Sequence, residues 1–333
     1  MRAARQLTAP PALPGGALGR AVLRLASPGG TRGLSIMIYH RVLAAPDPLF
    51  PGETDRASFS HQLDLLKSSC NVLPLLDAVR LLREGRLPPR AACITFDDGY
   101  ADNATEALPL LLRHGLHATF FVATGFLDGG RMWNDTIIEL VRKAPAGQPL
   151  AAASLGLPVL PLDTLEQRRA AISALIGKLK YVPMTQRLDQ VAALAARAAY
   201  PLADDLMMRS EQVVQLSRAG MHIGAHTANH PILAALPAHE AADEIASGKH
   251  TLETLLGEKL ALFAYPNGKP GTDYRAEHVD IVRELGFEGA VSTAWGGRCT
   301  DLLQLPRFTP WDRTLPRFQL RLASNLLLKA QRE

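Results

Sequence analysis

The sequence predicts an α/β fold built as an incomplete barrel of parallel strands, and three observations lead there. From Leu34 onward, short apolar runs alternate with amphipathic segments, the pattern of βα units around a parallel sheet. About seven such steps can be read, too many for a small doubly wound domain and suited to a barrel. The residues able to do chemistry fall just after the apolar runs, where parallel α/β sheets place their sites.

The first strand is Leu34-Ser-Ile-Met-Ile-Tyr39, ending in His40-Arg41. Ser58 is expected to cap a helix that carries Phe59, Leu63 and Leu66 at helical spacing, and a second helix spans Leu75–Arg83 and stops at Gly85. The run Ala91–Phe96 reads as a buried strand entering Asp97-Asp98-Gly99. A helix follows over Asn103–Arg113, then a strand over His117–Val122. After residue 208 the alternation resumes, with Ser210 expected to cap the helix Glu211–Arg218. Strands are predicted at Met221–Ala225, Leu260–Tyr265, Phe287–Ser292 and Leu303–Phe308, and helices at Ala238–Leu256 and Tyr274–Leu285.

Residues 129–208 lie between the two halves and are rich in Ala, Leu and Arg. Helical periodicity at Leu165–Lys180, opened by an Asp163-x-x-Glu166 capping box, and at Thr185–Ala199 marks a helical insertion in one long βα loop. Residues 1–33 read as a flexible leader, since Pro10, Pro11, Pro14, Gly15 and Gly16 and then Arg20 and Arg24 break any apolar stretch. Residues 34–310 are expected to form the main domain and 311–333 a C-terminal helical tail.

Hydrophobic residues make up 47% of the 333, enough for a large core, and no run approaches the ~20 apolar residues of a membrane helix. The expected location is cytoplasmic, with an amphipathic membrane anchor at Leu18–Leu25 as the alternative. The net charge of +4 comes from scattered arginines, which argues against a nucleic-acid partner. Three cysteines (Cys70, Cys93 and Cys299) without C-x-x-C spacing give neither a disulfide framework nor a zinc–thiolate site.

Three segments carry the chemistry. Thr95-Phe96-Asp97-Asp98-Gly99 sets two adjacent carboxylates at a strand end, able to take different roles, although Asp-Asp-Gly is also an ordinary turn. His226-Thr-Ala-Asn-His230 spaces two imidazoles four apart, as on one side of a helical turn. With a carboxylate from another strand end they make a two-His-one-carboxylate metal set that leaves coordination positions open for water. Phe263-Ala-Tyr-Pro-Asn-Gly268 ends a strand in a turn that can offer a backbone N–H and the Tyr265 ring to a pocket.

Together these segments resemble the polysaccharide deacetylases, the NodB-homology carbohydrate esterases of family 4. The flanking Ile38-Tyr-His-Arg41, Ala118-Thr-Phe-Phe121 and Gly224-Ala-His-Thr227 agree, and the resemblance covers about Leu34–Asp128 and Ser210–Phe308. It implies a deformed (β/α)7 barrel and a hydrolase that removes N-acetyl groups from a polysaccharide or glycan precursor. Asp98, His226 and His230 would bind a divalent metal, zinc in this family, and Asp97 would be the general base. The metal polarises the amide carbonyl and acidifies water, and a backbone N–H near Tyr265 would help hold the oxyanion.

Two departures stand out. Many members carry an arginine before the third-motif proline to orient the base, where this chain has Phe263-Ala-Tyr265. They also carry a late Leu-x-His acid, where this chain reads Leu303-Gln-Leu-Pro-Arg307. His40 or Arg307 is expected to replace part of that function. Tyr265, Pro266, Asn267 and Trp133 are the expected substrate-binding residues, and Asn134, Trp295 and Trp311 are further candidates beside a sugar. The competing readings are hydrolysis of a non-carbohydrate amide and a catalytically weak glycan-binding protein.

Overall fold

The apolar runs become parallel strands because both their faces are covered, so their residues are buried without the in–out alternation of a one-sided sheet. The computed structural model describes residues 16–198, 200–296, 301–310, 312 and 314–328. In chain order the first half holds α1 (Gly16–Ala26), β1 (Ser35–Tyr39), α2 (Arg56–Ser69), β2 (Asn71–Val72), α3 (Leu75–Arg83) and β3 (Ala91–Phe96). A π-helical turn at Asn103–Ala107 leads into α4 (Leu108–His114), followed by β4 (Thr119–Val122). The insertion contributes α5 (Trp133–Lys143), α6 (Leu165–Leu179) and α7 (Met184–Ala195). The second half holds α8 (Ser210–Arg218), β5 (His222–Ala225), α9 (Ala238–Leu256), β6 (Leu262–Ala264), α10 (Ala276–Glu284), β7 (Gly289–Val291) and α11 (Leu315–Leu327).

The strands form one parallel sheet in the order β1-β3-β4-β5-β6-β7, with β2 also pairing to β3. The expected last strand, Leu303–Phe308, appears as isolated parallel bridges, Val291 to Leu305 and Met37 to Phe308. Pro306 lacks an N–H and so interrupts a continuous ladder. The segment nonetheless joins the two edges of the curled sheet, through Leu305 N–H to Ala290 O (2.8 Å) and Phe308 N–H to Ile36 O (2.8 Å).

Strand alternation sorts the core into two sets. Ile36, Cys93, Phe121, Leu262, Val291 and Leu305 pack together with Leu75, Val79 and Leu82 of α3. Met37, Tyr39, Phe96, Phe120 and Phe263 pack instead with the surrounding helices, where Phe96 stacks on Phe120 with centroids 4.8 Å apart. Thr95, Asp97 and Arg307 continue the parity of Cys93 and Leu305, which sends them to the first side, into the mouth of the sheet.

The insertion has a core of its own. Ile137, Leu140 and Val141 of α5 pack with Ile172, Leu175 and Leu179 of α6 and Val191 and Leu194 of α7. It is tied to the loop after β1 by Arg142–Asp47 (2.7 Å) and by Arg169 donating to Leu49 O (2.8 Å).

Several local expectations are corrected. Asp55, not Ser58, caps α2, and Ser58 closes the capping box from the third helical position. Thr164 with Gln167, not Asp163 with Glu166, forms the box that opens α6. Arg209 occupies the cap position of α8, and Ser210 instead bonds Asp128. Residues 16–26 of the expected leader are helical, with Leu23 buried in the main core and α1 packed against α11 of the expected tail. Residues 1–15, the C-terminal residues 329–333, Cys299 and Trp311 lie outside the described residues. Cys70 and Cys93 are buried free thiols.

Candidate active site

The site begins where β3 ends. Asp97 N–H donates to Tyr39 O (3.0 Å), which prolongs the ladder by one residue, and the chain then turns at Asp98 and Gly99 with φ of 76° and 92°. Aspartate tolerates the left-handed region better than most residues. Gly99 is needed for space as well, because a Cβ there would lie 3.1 Å from Val122 Cγ1. The turn separates the two carboxylates.

Asp98 faces the loop after β5. Its Oδ1 lies 3.4 Å from His226 Nε2 and 3.4 Å from His230 Nε2. The two histidines are not on a helical turn as expected. They sit in a loop in which Thr227 and His230 have φ of 64° and 51°, and this folds the rings to 4.7 Å between centroids. Thr227 Oγ1 accepts from His230 N–H (3.0 Å). Glu244 of α9 accepts from Ala228 N–H (3.2 Å), Asn229 N–H (2.8 Å) and Asn229 Nδ2 (2.8 Å). Gly248, one turn further along α9, lets the helix approach, since a Cβ would lie 2.4 Å from Thr227 O.

The donor set fits a divalent cation. His226 Nδ1 lies 2.7 Å from Ala264 O, a bond that requires the proton on Nδ1 and turns the Nε2 lone pair toward Asp98. Asp98, His226 and His230 bring one oxygen and two nitrogens within 4.8 Å of one another. Burial alone would raise the Asp98 carboxyl, but the three imidazoles around it, His226 first and then His230 and His40, favour its ionised form and hold it far below the usual range. Burial and the neighbouring His226 push His230 down to about 4, which leaves a neutral imidazole fit to ligate.

The family model for polysaccharide deacetylase matches residues 84–160 and 161–290. The chain belongs to the polysaccharide deacetylase family. Members are metal-dependent hydrolases of carbon–nitrogen bonds other than peptide bonds, acting on N-acetylated polysaccharides. The YxkH protein of Bacillus subtilis (strain 168) is 20% identical over 269 residues, 80% of this chain and 67% of that protein. Two solved structures share the fold. The Streptococcus pyogenes deacetylase PplD in complex with acetate has a TM-score of 0.58 at 18% identity, over 87% of this chain and 97% of that one. IcaB from Ammonifex degensii has a TM-score of 0.56 at 21% identity, over 90% and 98%.

In this deacetylase-family chain, the arginine beside Asp97 comes from the far end of the domain. Arg307 is fully buried and donates from its two terminal nitrogens to the two Asp97 oxygens, at 2.6 Å each. Its Nε bonds Ser292 O (3.1 Å). Burial opposes ionisation of Asp97, but the Arg307 charge, with His226 and the paired hydrogen bonds, holds the carboxyl below its ordinary value. A guanidinium does not release a proton in proteins. Arg307 is therefore placed as the partner of Asp97 and not as a substitute acid.

His40 follows β1 and lines the same cavity, of about 380 Å³, as Asp97, Asp98, His226 and His230. Its backbone is fixed from both sides. Asn103 Nδ2 donates to His40 O (2.8 Å), and Asp102 takes the Arg41 Nε (2.7 Å) and the Val42 N–H (3.1 Å).

Of the third motif, Asn267 lines the cavity and Tyr265 does not. Tyr265 is fully buried, stacked on Tyr274 at 3.8 Å, with its hydroxyl on Leu303 O (3.0 Å) and its N–H on Val291 O (3.2 Å). Neither its ring nor its amide is free for substrate. Pro266 is buried and lies off the cavity wall. Trp133 and Asn134 open α5 on the cavity wall, and the Arg187 guanidinium lies 4.9 Å from the Trp133 ring centre. Trp295 is partly exposed away from the cavity.

Asp135 belongs to none of the three sequence motifs. It is buried on the cavity wall, and both its oxygens lie 3.1 Å from the Tyr100 hydroxyl. Burial and the Asp98 charge push its carboxyl up to about 7. The available signal was its place two residues after Trp133, on the first turn of a helix that opens the insertion.

Proposed function

We propose that this chain removes N-acetyl groups from a polysaccharide or glycan precursor by metal-assisted hydrolysis, with Asp97 as general base. One observation carries the reading: a buried carboxylate locked to an arginine stands next in sequence to a carboxylate that converges with two histidines in one cavity. Asp98, His226 and His230 would hold a divalent cation, zinc by the donor set, which supplies Lewis-acid polarisation of the amide carbonyl and acidifies water.

The protein's own groups account for the proton traffic. Asp97 takes the proton of the attacking water, and Arg307 keeps that carboxylate ionised and aimed. His40 delivers a proton to the departing amine nitrogen, which is too basic to leave as an anion. The carbon–nitrogen bond breaks, and acetate and the free amino sugar result. Trp133 offers a ring face to a sugar, and Asn267 a polar contact on the same wall.

Acetate release from N-acetylglucosamine oligomers tests the reading, using metal-loaded protein with chelated protein and Asp97→Asn as controls. Acetate is expected only with metal and intact Asp97. No acetate from any glycan, despite bound metal that His226→Ala abolishes, would overturn it.

A further inference from the structure

The described residues contain twelve large hydrophobic side chains with high exposure, and six of them lie on α1 and the end of α11. On α1 these are Leu18 (77% exposed), Val22 (43%) and Leu25 (83%). Their spacing of four and three residues, with Ala21 between, puts them on one stripe of the helix. That stripe is not the core-facing one, which carries Leu23. On α11, Leu320 (69%) and Leu327 (53%) share a stripe with Pro316 and Ser324, and Leu328 follows the helix.

The two helices pack side by side, and both rest on α2, so their outer stripes belong to one layer of the surface. Neither helix contains an aspartate or glutamate. Each carries two arginines one turn apart: Arg317 and Arg321 flank the leucine stripe of α11, whereas Arg20 and Arg24 lie on the side of α1 turned away from Leu18, Val22 and Leu25. Arg321 also reaches Asp312 (2.7 Å), and among the described residues the other three arginines have no carboxylate partner. The chain preceding α1 adds Arg2 and Arg5 and no acidic residue.

We propose that the α1–α11 layer is a membrane-docking surface, which lies in the plane of an anionic lipid headgroup layer with its leucines inserted. Leucines on an outward stripe, arginines beside it on α11 and on the polar side of α1, and no acid in either helix match an in-plane amphipathic helix on negatively charged lipid. The Arg317 stem can follow the α11 leucines inward while its guanidinium group stays at the phosphates. Spanning is excluded for the described helices, none of which is long and apolar enough to cross. A second copy of the chain would bring the same arginines together, so charge favours lipid over self-association.

Sedimentation of the full chain with vesicles tests this, comparing phosphatidylcholine alone with phosphatidylcholine containing about 30% phosphatidylglycerol, whose negative surface potential attracts basic residues. The protein is expected to pellet with the anionic vesicles and to be released by salt. Leu18→Ser/Leu25→Ser/Leu320→Ser should weaken binding at least tenfold with an unchanged melting temperature, since all three are exposed. Arg20→Gln/Arg24→Gln should weaken it about 30-fold, at about 1 kcal/mol for each arginine near an anionic surface, and remains informative if the serine variant folds poorly. Equal recovery with and without anionic vesicles, or variants that bind as the parent does, would overturn the proposal. So would a dimer in solution that the serine variant turns into a monomer, which would give the face to a second copy.

Discussion

Asp97 and Arg307 are 210 residues apart in sequence and meet through two parallel hydrogen bonds of 2.6 Å in the mouth of the sheet. Paired geometry of this kind fixes the plane of the carboxylate as well as its charge. Arg307→Ala would strand a buried carboxylate, and loss of one partner of a buried pair costs about 3–5 kcal/mol. The Asp97 carboxyl, now held below its usual range, would rise. Activity needs the ionised form, so the acidic limb of kcat/KM should move to higher pH. Urea melts and a pH–rate profile read the two effects separately. An unmoved acidic limb alongside a lowered melt would reduce Arg307 to a structural brace.

His40 is expected to act through proton transfer and not through metal binding. His40→Ala should lower kcat by about 100- to 10,000-fold, the range for removal of a general acid or base. Metal content and KM should stay close to the parent values. Single-turnover acetate release and metal analysis check this, and full activity in the variant would remove His40 from the mechanism.

Glu244 touches neither substrate nor ligand atoms, yet it holds the loop between His226 and His230 by three hydrogen bonds. Partners that orient ligands typically contribute 10- to 100-fold in metal affinity. Glu244→Ala should therefore weaken zinc binding by about that factor in calorimetric titration, while the isolated change leaves all three ligands in place. Affinity equal to the parent's would show that the backbone turns at Thr227 and His230 hold the loop alone.

The strand-end motifs are legible because parallel strands bring local sequence to a common rim, so a carboxylate of Asp97-Asp98 and the pair His226 and His230 can be assembled without knowing the packing, and the family resemblance singles out Asp98. The Asp97–Arg307 pair was half legible. Arg307 was visible as the residue where the family histidine is missing, but its direction depends on the parity it shares with Leu305 across a segment that Pro306 interrupts. Tyr265 misled for the same reason. It follows Phe263 in parity, toward the helices and Tyr274, whereas Ala264 turns inward and lends its carbonyl to His226. The H-x-x-x-H spacing suggested a helical turn, and only the two left-handed residues reveal a loop. Residues 16–26 looked like a leader because their arginines interrupt the apolar run, although Leu23 still reaches the core.

At the opposite end of the strands, His117 and His222 meet edge to face with centroids 4.4 Å apart, and the His117 ring is largely shielded from solvent. Burial, aided by His222, pushes His117 down to about 4, from an ordinary value near 6.5. A histidine depressed in the folded state takes up its proton first in the unfolded chain. Its contribution to stability is thus complete above about pH 6.5 and is lost as pH falls toward about 4. Carboxylates titrate in part of the same window, so the informative quantity is the difference between the parent and His117→Phe, which keeps an aromatic edge against His222 and cannot ionise. Urea unfolding at a series of pH values should give a shallower loss of stability for the variant between those limits, and curves that stay parallel throughout would show that His117 remains protonated alike in both states.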